Sequence, residues 1–296
     1  MNCPLCDAAE YKKLFEIKRP ELGESISYHI RSCKTCTFIY AEGLVTEDIL
    51  LKIYNKNFYS SSQQYAPIDK QGDFTAESLQ FPIVINAIAR TDFLQKLGAK
   101  GSLLDIGAAR GYFVKAASKV LEAEGIELSP DAAAFGNSMK VKITAGNFLT
   151  HDFGKQTFDV ITLWDVLACL PQPNVAMTKI SSLLKPGGLL VMTLPDGESL
   201  TARLLGSYWP MMIPPINWGF YTSDSIKKLL TAHGFTVKQI SHEAKWVSVD
   251  FVIRKLFRSL HLGDLAQVKL PINPTWRIPL NLGDIMTVAA ERDGVA

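Results

Sequence analysis

Four cysteines carry the first chemistry this sequence can do: Cys3-Pro-Leu-Cys6 and Cys33-Lys-Thr-Cys36, two C-x-x-C pairs with 26 residues between them. Two residues between thiolates let each pair take one edge of a tetrahedral ion in a tight turn. A hairpin, predicted for Lys13 to Ile17 with Ser27 to Arg31, brings the pairs together. Four thiolates close the shell of a zinc ion and leave no position for water, so the expected metal is structural. Two unrelated pairs, or a redox couple, is the alternative that the paired spacing disfavours. The fifth cysteine, Cys169, lies in an apolar segment and reads as a small buried hydrophobe. From residue 1 to 70, nine Lys and Arg balance nine Asp and Glu, which leaves no net field for a phosphate backbone. The ribbon therefore reads as a stapled mini-domain that could not otherwise bury enough core.

A second cluster starts at Leu103-Leu104-Asp105-Ile106-Gly107-Ala108-Ala109-Arg110-Gly111-Tyr112-Phe113-Val114. It reads as a short buried strand, a loop of small residues and a helix start, with the helix running to about Leu121. A second strand is expected over Ala123 to Leu128, and Ser129 and Pro130 suit the cap and first turn of the next helix. Upstream, helical spacing covers about Leu79 to Leu97. Downstream, Gly234-Phe235-Thr236-Val237 and Gly283 to Ala290 supply the last strands. Strands alternating with helices imply an α/β fold with a doubly wound, mostly parallel sheet, whose ligands lie at the carboxyl ends of the strands.

Composition sets the outer bounds. The chain has 296 residues, 47% hydrophobic and 20% charged, with a net charge of +2, so a sizeable core is available and a polyelectrolyte or disordered chain is excluded. No apolar run reaches the ~20 residues of a membrane span, and the N-terminus lacks the regions of a secretory signal. A reducing cytoplasm is the expected location, where clustered cysteines serve as metal ligands.

The glycine spacing at 107 and 111, with Ala109 between and Asp105 two residues before the first, departs from the dinucleotide pattern G-x-G-x-x-G. The run resembles motif I of the class I S-adenosylmethionine (SAM)-dependent methyltransferases, whose pattern is D/E-x-G-x-G-x-G, with Ala109 replacing one glycine. The resemblance continues in order. Gly146-Asn147-Phe148-Leu149 resembles the segment after strand three, Phe158 to Leu167 strand four and its exit loop, and Leu184 to Pro195 the turn into strand five. It implies a Rossmann-like seven-stranded sheet with SAM held by Asp105, Gly107, Ala109, Gly111, Glu127, Asn147, Phe148 and Trp164. Glu127 stands 22 residues after Asp105, where an acid can accept both ribose hydroxyls. Asn147 stands where an acid usually meets the adenine amine, and its carbonyl oxygen can accept the same bond.

The order of the whole chain resembles bacterial methyltransferases with an N-terminal zinc-binding segment, many acting in sugar, polysaccharide and natural-product pathways. Phe58-Tyr59-Ser60-Ser61 resembles the Tyr-Ser-rich segment of the sugar C-methyltransferases among them. Those relatives carry a Glu-His pair after Pro-Pro; here the matching residues are Ile216 and Asn217, neither of which is a base at neutral pH. The candidates near the acceptor are therefore Tyr59, Tyr65, Asn217, Tyr221 and His242, with the aromatic, Pro-rich stretch from Ser199 to Tyr221 as pocket wall or lid.

The expected organisation is a zinc ribbon over residues 1–45, a linker or helical segment over 46–76, and a methyltransferase domain over 77–296. Near 243–280 a helical lid is inserted, on which Val249, Val252, Ile253, Leu256, Phe257 and Leu260 share one face. That face covers the pocket or makes a peripheral membrane contact; three basic residues, Arg254, Lys255 and Arg258, are a thin anchor for the latter. The expected activity is methyl transfer to a small molecule, with a sugar or nucleotide-linked sugar leading. An RNA methyltransferase using the ribbon for capture and a non-catalytic SAM-binding or partner-docking protein are the alternatives. The oligomeric state is open.

Overall fold

A computed structural model of the chain describes residues 2–19, 26–44, 46, 49, 53, 65–259, 272–273 and 275–294. The N-terminal strands are β1 (Tyr11–Lys18), β2 (Ser27–Cys33) and β3 (Ile39–Glu42). After a 3-10 turn at Ser78–Gln80, α1 (Pro82–Lys96) begins on Pro82, whose fixed φ suits a first helical position, so the helix starts three residues later than its apolar spacing indicates. Then follow β4 (Ser102–Ile106), α2 (Tyr112–Ala117), β5 (Glu122–Glu127), α3 (Pro130–Ser138) and β6 (Lys142–Ala145). Next are β7 (Phe158–Trp164), α4 (Pro173–Leu183), β8 (Leu184–Pro195), α5 (Leu200–Leu205), β9 (Gly219–Phe220), α6 (Ser223–Ala232) and β10 (Phe235–Ser241). The chain ends with β11 (Lys245–Ser248), α7 (Val249–Ser259), β12 (Arg277–Leu280) and β13 (Ile285–Arg292).

Seven strands form one sheet in the order β10-β13-β8-β7-β4-β5-β6, the expected mostly parallel α/β architecture. Among the described residues no helix is long and apolar enough to cross a membrane. The chain divides into two compact units, one of Met1–Ile53, Leu149–Glu243 and Leu282–Ala296, the other of Tyr54–Phe148 and Ala244–Asn281.

In the first unit the ribbon is not a free-standing module. β3 pairs with β9, Ile39 opposite Phe220 and Tyr40 opposite Gly219, so a strand from the downstream sequence completes the ribbon's four-stranded sheet. Tyr28, Ile30 and Ala41 of the ribbon share one core with Trp209, Met212, Trp218 and Phe220. Continuous apolar sequence makes β7 and β8 buried strands, and they pair in parallel. β13 runs antiparallel to β8 and to β10, which sets β8 and β10 parallel to each other. α6 opens on a capping box, Thr222 with Ser225, and buries Ile226, Leu229 and Leu230.

The buried Trp209 ring is fixed by one polar contact, its Nε1 donating to Asp284 Oδ2 at 3.1 Å. Asp284→Ala leaves that indole N–H without an acceptor inside the core, at a cost of about 1–3 kcal/mol. Urea denaturation should show the midpoint falling with an unchanged slope; an unchanged midpoint would mean the bond contributes nothing.

In the second unit β4, β5 and β6 are parallel. Ser129 caps α3 by accepting from Ala132 N, with Pro130 in the first turn, as the sequence indicates. The expected lid region contains α7 and the antiparallel pair β11 and β12, tied to α1 where the Asn86 amide bonds both backbone groups of Trp246. Leu260, the last residue of the expected apolar face, lies outside the described residues.

Candidate functional site

The four ribbon cysteines meet. Cys3 Sγ lies 3.6 Å from Cys36 Sγ and Cys6 Sγ 3.5 Å from Cys33 Sγ, and all four sulfurs lie within 4.8 Å of one another. Tetrahedral Zn–S bonds of about 2.3 Å require S–S edges of about 3.8 Å, so the donor set fits zinc in number, chemistry and spacing. Both knuckles turn the same way: Asp7 N donates to Cys3 O and Thr37 N to Cys33 O, with Asp7 (φ 58) and Thr37 (φ 62) left-handed just after each second cysteine. Crowding sets the thiols against one another. The Cys36 thiol draws Cys3 down to about 5, and the same contact drives Cys36 well above its ordinary range. A dication held by four thiolates removes that conflict.

The knuckles are also fastened to the helices of their own unit. The Asn174 amide of α4 donates to Pro4 O and Leu5 O, both at 2.9 Å. Thr222, the cap of α6, shares a 2.8 Å hydroxyl contact with Thr37, and Lys228 reaches Thr35 O.

In the second unit the residues read as a cofactor loop converge at the exits of parallel strands. Leaving β4, Gly107 (φ 74), Ala109 (φ 48) and Gly111 (φ 76) are all left-handed, and the amides of Gly107 and Ala108 donate to Ile126 O of β5. Ala109 thus holds the backbone conformation its methyl group disfavours, strain of a kind that concentrates at functional sites. The Glu127 carboxylate, buried at the end of β5, explains how: Oε2 accepts from Ala109 N at 2.8 Å and Oε1 from Ser129 N at 2.9 Å. Asp105 is 2% exposed. Asn147 and the buried Phe148 follow β6 at the same carboxyl edge. Trp164, the last cofactor candidate, ends β7 in the first unit and is buried there.

Two features of the loop escape a reading by motif. Gly125 has no room for a side chain, because a Cβ there would lie 2.5 Å from Ala108 Cβ. Arg110 lies over the rings of Tyr65 (5.3 Å) and Phe135 (4.8 Å), while the Tyr112 hydroxyl bonds both backbone groups of Ala66. Tyr65 is therefore a wall beside the loop, held from its own neighbour. Tyr59 lies outside the described residues.

The acceptor candidates of the first unit differ sharply. Tyr221 is completely buried, and burial pushes its phenol far above the usual range, which excludes it as a base. Asn217 is buried and spends its amide on Met211 O at 2.7 Å. Cys169, expected to be a plain hydrophobe, is half-buried and donates to Asp165 O, with Asn217 Oδ1 at 3.8 Å. His242 follows β10, and its Nε2 lies 2.8 Å from Oδ2 of Asp196, a residue the motifs passed over. The one available signal was its position, an acid directly after the strand-five run Leu189 to Pro195.

Residues 84–240, just over half of the chain, match the model of a methyltransferase domain family. Over 112 residues the chain is 30% identical to a highly reducing polyketide synthase of Strobilurus tenacellus, covering 33% of this chain but 4% of that protein. A candidate methyltransferase of Bacillus halodurans superposes with a TM-score of 0.54 at 14% identity, covering 69% of this chain and 99% of that one. Magnesium protoporphyrin IX methyltransferase of Synechocystis, solved with bound SAH, superposes with a TM-score of 0.53 at 11% identity, covering 84% and 100%. The chain belongs to this methyltransferase domain family of SAM-dependent enzymes.

Proposed function

We propose that the chain transfers the methyl group of SAM to a small hydroxylated acceptor, a sugar or nucleotide-linked sugar of polysaccharide or secondary-metabolite biosynthesis. The observation that carries the cofactor half is the Glu127 carboxylate, held on both oxygens by the amides of Ala109 and Ser129 at the carboxyl end of β5. A carboxylate at the end of this strand is where a ribose diol can donate its two hydroxyls. The cradle fits as well: a Cβ on Gly111 would come within 3.2 Å of Gly136 Cα, so only small residues let loop and helix approach this closely. Asp105 and the left-handed Gly107 shape the loop for the methionine part, Asn147 offers an acceptor to the adenine amine, and Phe148 is an apolar wall.

SAM, when bound, supplies an electrophilic methyl carbon with a neutral thioether as leaving group. What remains for the protein is to align the acceptor and take its proton. A small acceptor is supported by the ribbon, which is charge-neutral and spends its knuckle carbonyls on Asn174 and Lys228 of its own unit. The sugar class rests on the resemblance of the chain's order and of Tyr59-Ser60-Ser61 to the sugar methyltransferases. Thiols serving as metal ligands fit a reducing, cytoplasmic location.

Native mass spectrometry with SAM and SAH, followed by a radiolabelled-methyl assay over nucleotide-linked sugars and over tRNA, tests this reading. One zinc per chain, micromolar binding of both ligands and label in a sugar are the expected results. Label in tRNA lost at high salt would move the reading to RNA, and a filled cofactor site with no label anywhere would make the chain a binding protein.

A further inference from the structure

Behind the first cysteine knuckle two polar side chains form a chain of hydrogen bonds that reaches from the helices to the sulfurs, all within one compact unit. Asn174 sits in the first turn of α4, and its Nδ2 donates to Pro4 O and to Leu5 O, both at 2.9 Å. An NH2 group has two hydrogens and both are spent there, so Oδ1 faces the other way, toward His233 Nε2 at 3.0 Å. Turning the amide over would set its oxygen against two carbonyl oxygens. A carboxamide oxygen can only accept, which makes Nε2 the protonated ring nitrogen of His233. His233 caps the C-terminus of α6, and its own carbonyl accepts from the Ser181 hydroxyl of α4 at 3.2 Å, so the ring is held from both helices.

In a trans peptide C=O and N–H point in opposite directions, so holding Pro4 O and Leu5 O on the outside turns the amides of Leu5 and Cys6 inward. There they meet Cys3. Besides the Cys36 thiol, the largest influence, the hydrogen-bonding amides of Cys6 and Leu5 draw the Cys3 thiol down against its burial. The second knuckle is held differently, with Thr35 O taken by Lys228 Nζ at 3.2 Å and the Phe38 amide serving Cys36. We infer that Asn174 and His233 are positioning residues of the metal site, an outer layer that aims the two amides of the first knuckle at the Cys3 sulfur. This extends, and rests on, the assignment of the four cysteines to zinc. N–H donors aimed at a ligating thiolate spread its charge and fix its direction, as partners one layer out from a metal do. Each bond in the chain polarises the next, so the His233 N–H strengthens the Asn174 amide and, through it, both peptide groups.

Metal competition on the full chain, a chromophoric chelator against zinc and cobalt(II) as a spectroscopic substitute, tests it. Asn174→Ala should weaken zinc ~10–100-fold, the range for such outer partners. Asn174→Asp, of the same size but without the NH2 donors, should weaken it as much. His233→Ala should cost about 2–10-fold, the worth of one hydrogen bond; it keeps Asn174 on the knuckle, and so tests the chain even if the Asn174 variants fail to fold. In the zinc-loaded proteins the amide proton resonances of Leu5 and Cys6 should move upfield in Asn174→Ala while that of Phe38 stays, a pattern that general loosening of the unit does not give. Nitrogen-15 spectra of histidine-labelled wild type should show His233 as the Nε2–H tautomer. Zinc affinity within twofold of wild type in all three variants, unmoved Leu5 and Cys6 amides, or a wild-type Nδ1–H tautomer overturns the inference. A wild type that takes up neither metal overturns the zinc assignment and this layer with it, while SAM titration of the same sample reports on the methyltransferase activity separately.

Discussion

Stripping the metal from the ribbon is expected to melt the whole first unit, not the first 45 residues alone. The sequence draws a boundary after the ribbon, but the strand pairing does not: Gly219–Phe220 is the fourth strand of the ribbon sheet, and Trp209, Met212 and Trp218 fill its core. The fastenings run to both neighbouring helices, through Asn174 to the first knuckle and through Thr37 and Thr222 to the second. Four uncompensated thiols would then sit where the ion was, three of them buried. Structural zinc contributes about 10–16 kcal/mol in small sites, against a total domain stability of about 5–15 kcal/mol. Even a third of that loss shifts a melting midpoint by about 10–20 °C for a unit of this size. Calorimetry with and without a chelator, or on Cys33→Ser, should show one transition moved down as a body. Hydrogen exchange should then lose protection at Tyr28–Ile30 and Phe220 together. A small separate ribbon transition, with the main one in place, would show the ribbon to be an independent module.

The contrast shows what is legible in a linear sequence. C-x-x-C spacing is local, and so is a strand-loop-helix passage of small residues; both specify their geometry within a dozen residues, and the sulfur cluster and the left-handed loop follow from them. The doubly wound parallel sheet is legible because alternating strands and helices admit few topologies, and its seven strands are what the resemblance to the methyltransferases implies. Long-range pairings of unremarkable residues are not. Nothing in Gly219-Phe220 announces that it will pair with Ile39-Tyr40 some 180 residues upstream. The contact between His242 and Asp196 was obscured for the same reason. His242 reads as one of five isolated histidines until β13 inserts antiparallel between β8 and β10 and brings the ends of those two strands to one edge. Ala109 is the instructive middle case: by motif it is a departure from glycine, yet its φ of 48° shows that the backbone there still makes the glycine turn, held by Glu127.

That hold makes Glu127 the single residue whose loss should matter most to cofactor affinity. Glu127→Ala removes two things together. The ribose diol loses two charge-assisted acceptors, each worth about 1.5–3 kcal/mol, and the amides of Ala109 and Ser129 lose the partner that keeps the loop in its strained turn. A fall of ~10²–10⁴-fold in affinity follows, at about 1.4 kcal/mol per tenfold. SAM and SAH should weaken by the same factor, because the ribose and the loop are common to both and the methyl group is not. Glu127→Gln separates the contributions: its one carbonyl oxygen can satisfy a single amide, while its NH2 faces donors on the remaining side, so it should bind nearly as poorly as the alanine variant. Glu124→Gln is the control. It lies on the same strand but points to Lys142 and away from the loop, and should change neither affinity. Calorimetric titration of the four proteins with both ligands decides the matter. If Glu127→Ala and wild type bind alike, the carboxylate is a loop brace and the ribose is held elsewhere. If SAM weakens far more than SAH, the carboxylate acts on the sulfonium charge instead of the diol, and the pose of the cofactor in this unit must be redrawn around it.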